Sequence, residues 1–103
     1  MNESEFLSLS DRVFDQIEQA LDADEFDVDL NRNGNVLEIE FDTGSKMVVN
    51  RHAANQEIWL AARSGGFHYR LQEGRWQSTR DQGELFSQLA ELITQQTGHT
   101  PRF

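Results

Sequence analysis

The 103-residue chain has no cysteine and a single proline. Without cysteine there is no disulfide, no thiolate metal ligand, no thiol nucleophile and no cysteine-held cluster. That is compatible with a reducing compartment. No apolar run approaches the ~20 residues needed to span a bilayer. Positive charge is scarce: nine Lys and Arg stand against eighteen Asp and Glu, a formal net charge of −9. A chain so poor in cations is not built to hold nucleic-acid phosphates or an anionic membrane surface. GxGxxG and P-loop patterns are missing, and no serine sits in a nucleophile elbow. Asp27-Val28-Asp29 opens like an EF-hand loop, but Arg32 stands where the loop requires its glycine. No Glu-x-x-His pair stands ready to build a carboxylate-bridged metal centre on a helix. The composition therefore argues against an enzyme.

What the chain has in excess is acid. Between Arg12 and Arg32 lie Asp15, Glu18, Asp22, Asp24, Glu25, Asp27 and Asp29, with no Lys or Arg among them. Carboxylates this close repel one another, so folding alone does not ask for them. They suit a cation, a basic protein surface, or both. The plainer reading is a solvated acidic face that confers solubility.

The hydrophobic pattern organises the rest. Phe6, Leu9, Val13, Ile17, Ala20 and Leu21 recur every three or four residues and predict a helix, with Asn2 and Glu5 as its capping pair. On that helix Asp11, Asp15, Glu18 and Asp22 fall in one stripe, roughly opposite the apolar one, as a solvent-facing ridge. From Phe26 the period changes to two, with Val28 and Leu30 inward and Asp27, Asp29 and Asn31 outward. Asn33-Gly34 predicts a hairpin turn whose two central residues both take positive φ. Leu37, Ile39 and Phe41 then face inward, and Glu38, Glu40 and Asp42 outward. Further strands are expected over residues 46–50, 57–63, 67–72 and around Trp76, with Ser64-Gly65-Gly66 as a turn. Leu85, Phe86, Leu89, Leu92 and Ile93 mark a final helix, with Asp81 and Glu84 as its capping box and Gly98 as its C-cap. Short turns imply antiparallel neighbours. The expectation is one domain over residues 1–103: an α+β, two-layer sandwich of helix, about six antiparallel strands and helix, with both helices on one sheet face and the other face open.

Among isolated residues, Trp59 draws notice. Alternation in Ile58-Trp59-Leu60 places it on the solvent side, where tryptophan often marks a binding contact. His52, His68 and His99 are scattered. His68 points to the open face, and reads as an ordinary surface histidine.

Val48-Val49-Asn50-Arg51, Glu57-Ile58-Trp59-Leu60-Ala61 and Ser64-Gly65-Gly66-Phe67-His68-Tyr69, with Asn2 to Phe6 and the Gly44-Ser45-Lys46 turn, resemble the frataxin family in its bacterial CyaY branch. The resemblance covers essentially the whole chain. It implies the same helix–sheet–helix sandwich and a role in iron–sulfur cluster assembly. It implies iron, weakly bound and labile, on Glu18, Asp22, Asp24, Glu25, Asp27 and Asp29. It implies a cysteine desulfurase docked on Glu18, Asp22, Glu25 and Asp27, and the cluster scaffold contacted through Asn50, Trp59 and the neighbouring sheet face. Glu38, Glu40 and Asp42 extend the acidic patch. The expected state is a monomer, with metal-induced oligomers left open. The acidic start Met1-Asn2-Glu3-Ser4-Glu5 lacks the positive charge of a targeting signal, so the expected address is the cytoplasm. The competing reading is an acidic interaction module whose metal binding is incidental.

Overall fold

The computed structural model describes residues 1–22, 26–81 and 83–103. Helix α1 (Glu3–Leu21) is followed by strands β1 (Val28–Asn33), β2 (Val36–Phe41), β3 (Lys46–His52), β4 (Glu57–Ala62), β5 (Gly65–Gln72) and β6 (Arg75–Ser78), and then by α2 (Leu85–Thr97). The six strands form one antiparallel sheet in chain order. The α+β sandwich expected from periodicity is what forms.

The N-terminus of α1 follows from its residues. The Asn2 side chain accepts a hydrogen bond from the Glu5 N–H at 2.8 Å, and Glu3 and Glu5 complement the positive end of the helix dipole. Phe6, Val13, Phe14, Ile17 and Leu21 form the buried face. Phe14, outside the expected apolar stripe, is fully buried, whereas Leu9 and Ala20 are only half-buried.

Alternation along the strands sends Leu37, Ile39, Phe41, Met47, Val49, Ile58, Leu60, Tyr69 and Trp76 into the core. Helix α1 crosses this face obliquely. Phe6 meets Trp76 of β6 edge-on at 6.1 Å, while the middle of the helix is reached by Arg51 of β3 and Arg32 of β1. Helix α2 lies over the same face. Gln88 accepts from the Tyr69 hydroxyl of β5, and Gln96 accepts from Ser45 in the turn between β2 and β3.

Three local expectations shift. The hairpin loop between β1 and β2 is Gly34-Asn35, because Asn33 already pairs with Val36. Of the two, only Gly34 has positive φ, at 61°, as a turn with glycine in its first loop position requires. Asn35 is instead tied to Arg51, whose N–H and Nε donate to its carbonyl and side chain at 2.9 and 3.0 Å. Gly65 and Gly66 are not turn residues but strand residues, opposite Ala62 and Ala61; the loop is Arg63-Ser64. Finally, α2 starts four residues after Asp81. The Ser78 N–H donates to the Gly83 carbonyl at 2.7 Å and Glu84 bridges to Gln77, which holds the chain extended. Glu84 then caps the helix itself, its carboxylate accepting from the Phe86 and Ser87 N–H groups at 3.0 and 3.1 Å. Gly98 ends α2 in the left-handed conformation, as expected.

Candidate acidic interaction site

The α1 acids do not form the unrelieved ridge that helical spacing alone suggests. Arg32 follows Val28 and Leu30 on the inner side of the edge strand β1. Its Nη1 donates to Asp15 Oδ1 at 2.6 Å and to Glu18 Oε1 at 2.8 Å, and its Nη2 to Asp11 Oδ1 at 3.2 Å. Arg51 adds a second guanidinium, with Nη1 donating to Asp11 Oδ1 at 2.5 Å and to Ser10 Oγ and the Leu7 carbonyl at 3.2 Å each. Both guanidinium groups lie over the Phe14 ring, at 5.2 and 5.6 Å. The hydrogen bond to Asp15, reinforced by Glu18, raises the Arg32 pKa above its already high ordinary value, against the opposing effect of burial. The carboxylates remain wet: the Asp15 side chain is 57% exposed. They are paired at the surface rather than solvated alone.

The remaining acids are differently placed. Asp22 is the C-cap of α1 and is exposed. A negative side chain at a helix C-terminus opposes the dipole, so its position does not serve stability. Asp27 and Asp29 are exposed on the approach to β1 and on β1 itself. Asp29 stands directly opposite Glu40, and Asn31 opposite Glu38. The like charges of Asp29 and Glu40, so opposed, are destabilising. Lys46 moderates them from β3, with Nζ 3.7 Å from Glu40 and 4.0 Å from Glu38. Among the described residues, no Lys, Arg or His pairs with Asp22, Asp27 or Asp29. Asp24 and Glu25, assigned to the same surface, lie outside the described residues. The acidic surface thus wraps the β1 edge, with its helix side neutralised by arginine and its strand side open.

Asn50 and Trp59 sit elsewhere, directly opposite each other on β3 and β4 at the centre of the open sheet face. Two strand spacings, about 10 Å, separate β3 from β1. Trp59 is half-buried because His52 and His68 stack on its two sides, at centroid distances of 3.6 and 4.1 Å. Sequence reasoning missed both histidines as its neighbours, and Arg32 and Arg51 as counter-ions to α1. One signal was present: the alternation Val28, Leu30, Arg32 already sends Arg32 toward the helices.

Carboxylate oxygens suit hard cations such as ferrous or ferric iron. Among the described residues, however, no three His, Asp or Glu side chains are grouped to hold a metal ion.

A family model described as the frataxin-like domain matches residues 1–99. The chain belongs to the frataxin-like family. It is 55% identical over 98 residues to a Chromobacterium violaceum protein named iron–sulfur cluster assembly protein CyaY, covering 95% of this chain and 93% of that one. Frataxin from Psychromonas ingrahamii shares the frataxin-like fold with a TM-score of 0.92 and 34% identity, covering 98% of this chain and 96% of that chain. A trimeric frataxin from the yeast Saccharomyces cerevisiae, complexed with ferrous iron, has a TM-score of 0.68 and 22% identity, covering 96% of this chain and 88% of that one. That last likeness speaks for the fold alone.

Proposed function

We propose that this frataxin-like chain works in iron–sulfur cluster assembly as a cytoplasmic, non-catalytic adaptor. Its acidic surface holds iron as labile cargo and docks a basic surface of the cysteine desulfurase, while Asn50 and Trp59 face the cluster scaffold. The observation that carries this reading is the acid on the open side of the β1 edge. Asp22, Asp27 and Asp29 are exposed without a cationic partner among the described residues, two of them in positions that cost stability. The name of the Chromobacterium violaceum relative supports the assembly role.

The test is an anaerobic Fe²⁺ titration of the isotope-labelled protein followed by two-dimensional NMR, repeated with the desulfurase. Shared broadening or shifts over residues 22–29 support one surface for both. Reversing Asp22, Glu25 and Asp27 to Lys should then abolish both responses with the fold retained. The absence of a three-ligand group among the described residues favours one competitor, an acidic regulator whose metal binding is incidental. A response to the desulfurase with none to iron would establish that competitor instead.

A further inference from the structure

Glu57 faces the open side of the sheet, yet it is only 7% exposed. A carboxylate withdrawn from water to this degree is costly unless it is paired and hydrogen-bonded. Both of its oxygens are engaged. Oε1 accepts from the Trp59 indole Nε1–H at 2.8 Å, and Oε2 accepts from Arg70 Nε at 2.9 Å. His68 Nδ1 stands 3.8 Å from Oε1. Strand register sets this grouping: His52 and Arg70 flank Glu57 on the neighbouring strands, and Asn50 and His68 flank Trp59.

The same register closes both faces of the indole. The His52 ring lies 3.6 Å away with a 28° tilt, and the His68 ring 4.1 Å away and almost parallel, at 4°. Among the described residues, His52 Nε2 is buried with no hydrogen-bond partner. An orphaned polar atom is destabilising, so this ring earns its place by stacking rather than by hydrogen bonding. The two imidazoles lie on opposite sides of the indole and cannot ligate one ion between them. Nor can a partner's ring or cation stack on Trp59, because both of its faces are covered. What remains for a partner is the indole edge, at a fixed angle.

We infer that Glu57 is a positioning residue: by holding the Trp59 indole N–H between two stacked imidazoles, it presents Trp59 edge-on to the assembly partner in a single rotamer. The inference rests on the proposed role of Trp59 as a partner contact. A side chain that is already immobilised loses less freedom on binding, so releasing the indole weakens binding without removing any contact atom.

The experiment compares wild type, Trp59→Ala, Glu57→Leu and Glu57→Gln. Affinity is measured for the desulfurase–scaffold complex, and the two indole N–H resonances are followed by NMR. Glu57→Gln keeps an acceptor oxygen for the indole. It should leave affinity within about threefold and the Trp59 resonance near its place, whereas Glu57→Leu should shift and broaden that resonance and weaken binding roughly tenfold. If Trp59→Ala weakens binding but Glu57→Leu does neither, the positioning role is wrong and the partner reading stands. If Trp59→Ala binds like wild type, the partner reading of Trp59 fails. The presentation of Trp59 to a partner then falls with it, whatever the indole resonance of Glu57→Leu does. Should Glu57→Leu not fold, His68→Ala removes one stacked ring from an exposed position and should loosen the same resonance; an unchanged signal there overturns the clamp.

Discussion

Arg32 on the edge strand donates to the Glu18 carboxylate of α1 at 2.8 Å. The same guanidinium holds Asp15 and Asp11, so one cation offsets the repulsion of three acids spaced along the helix. Arg32→Ala leaves Asp15 and Glu18 without their counter-ion, while Arg51 still holds Asp11. We expect a loss of about 1 kcal/mol, the scale of a solvent-accessible ion-pair network. The variant should recover stability with added salt more steeply than wild type does, because screening then relieves the repulsion between Asp15 and Glu18 with no Arg32 attraction to weaken. Urea melts at low and high NaCl check this. Parallel salt dependences for the two proteins would show that Arg32 does not offset the α1 acids.

The same pairing orders the response to cations. At Glu18 an incoming cation competes with Arg32, whereas Asp27 and Asp29 pair with no cation among the described residues. In an Fe²⁺ titration, residues 27 and 29 should respond at lower metal concentration than Glu18. In Arg32→Ala the Glu18 response should move to lower concentration and join them. A Glu18 response that leads in wild type would contradict this order.

Tyr69, the chain's single tyrosine, has its pKa raised well above the ordinary 10, first by burial and then by the nearby charges of Asp81 and Glu84. The folded state therefore keeps its proton where the unfolded state has lost it. The sign follows from linkage: the contribution of Tyr69 is complete below pH ~10 and is lost as pH climbs toward the raised value, at up to about 1.4 kcal/mol per pH unit. Tyrosinate absorbance should stay low in the native protein above pH 10 and appear together with unfolding. Tyr69→Phe should show a shallower alkaline fall in stability. Tyrosinate forming ahead of unfolding would refute the assignment.

The fold was legible because its signals are local. The period of three to four residues in α1, the period of two through β1 and β2, and the C-cap at Gly98 all reappear in the structure. What the chain alone did not disclose depends on register or on long-range pairing. Asn33-Gly34 advertised the right hairpin, but the tie between Asn35 and Arg51 belongs to a loop that slides by one residue. Capping chemistry pointed to Asp81, yet pairing of Gly83 and Glu84 with β6 postponed the helix. The acids of α1 read as a free ridge because Arg32 lies 14 residues beyond Glu18 and meets it only through the hairpin. Trp59 was placed on the correct face by alternation. Its stacking partners became visible only once β3, β4 and β5 were aligned.

Two glycines make a paired test of backbone demand. Gly98 closes α2 at φ 79°, its N–H donating to the Thr94 carbonyl at 2.8 Å. Among the described residues, an added Cβ there meets no atom within 4 Å, so the penalty for alanine comes from the left-handed backbone itself. Gly98→Ala should therefore cost about 1 kcal/mol, and Gly98→Asn less, since asparagine tolerates that region. Gly66 sits within β5 without a positive φ, and among the described residues an added Cβ would approach only the Leu60 carbonyl, at 4.0 Å. Gly66→Ala should be neutral or mildly stabilising, because it narrows the unfolded ensemble without straining the strand. Urea melts of both variants with unchanged slopes decide the matter. An equal loss at both positions would mean that contacts, rather than backbone conformation, govern these sites.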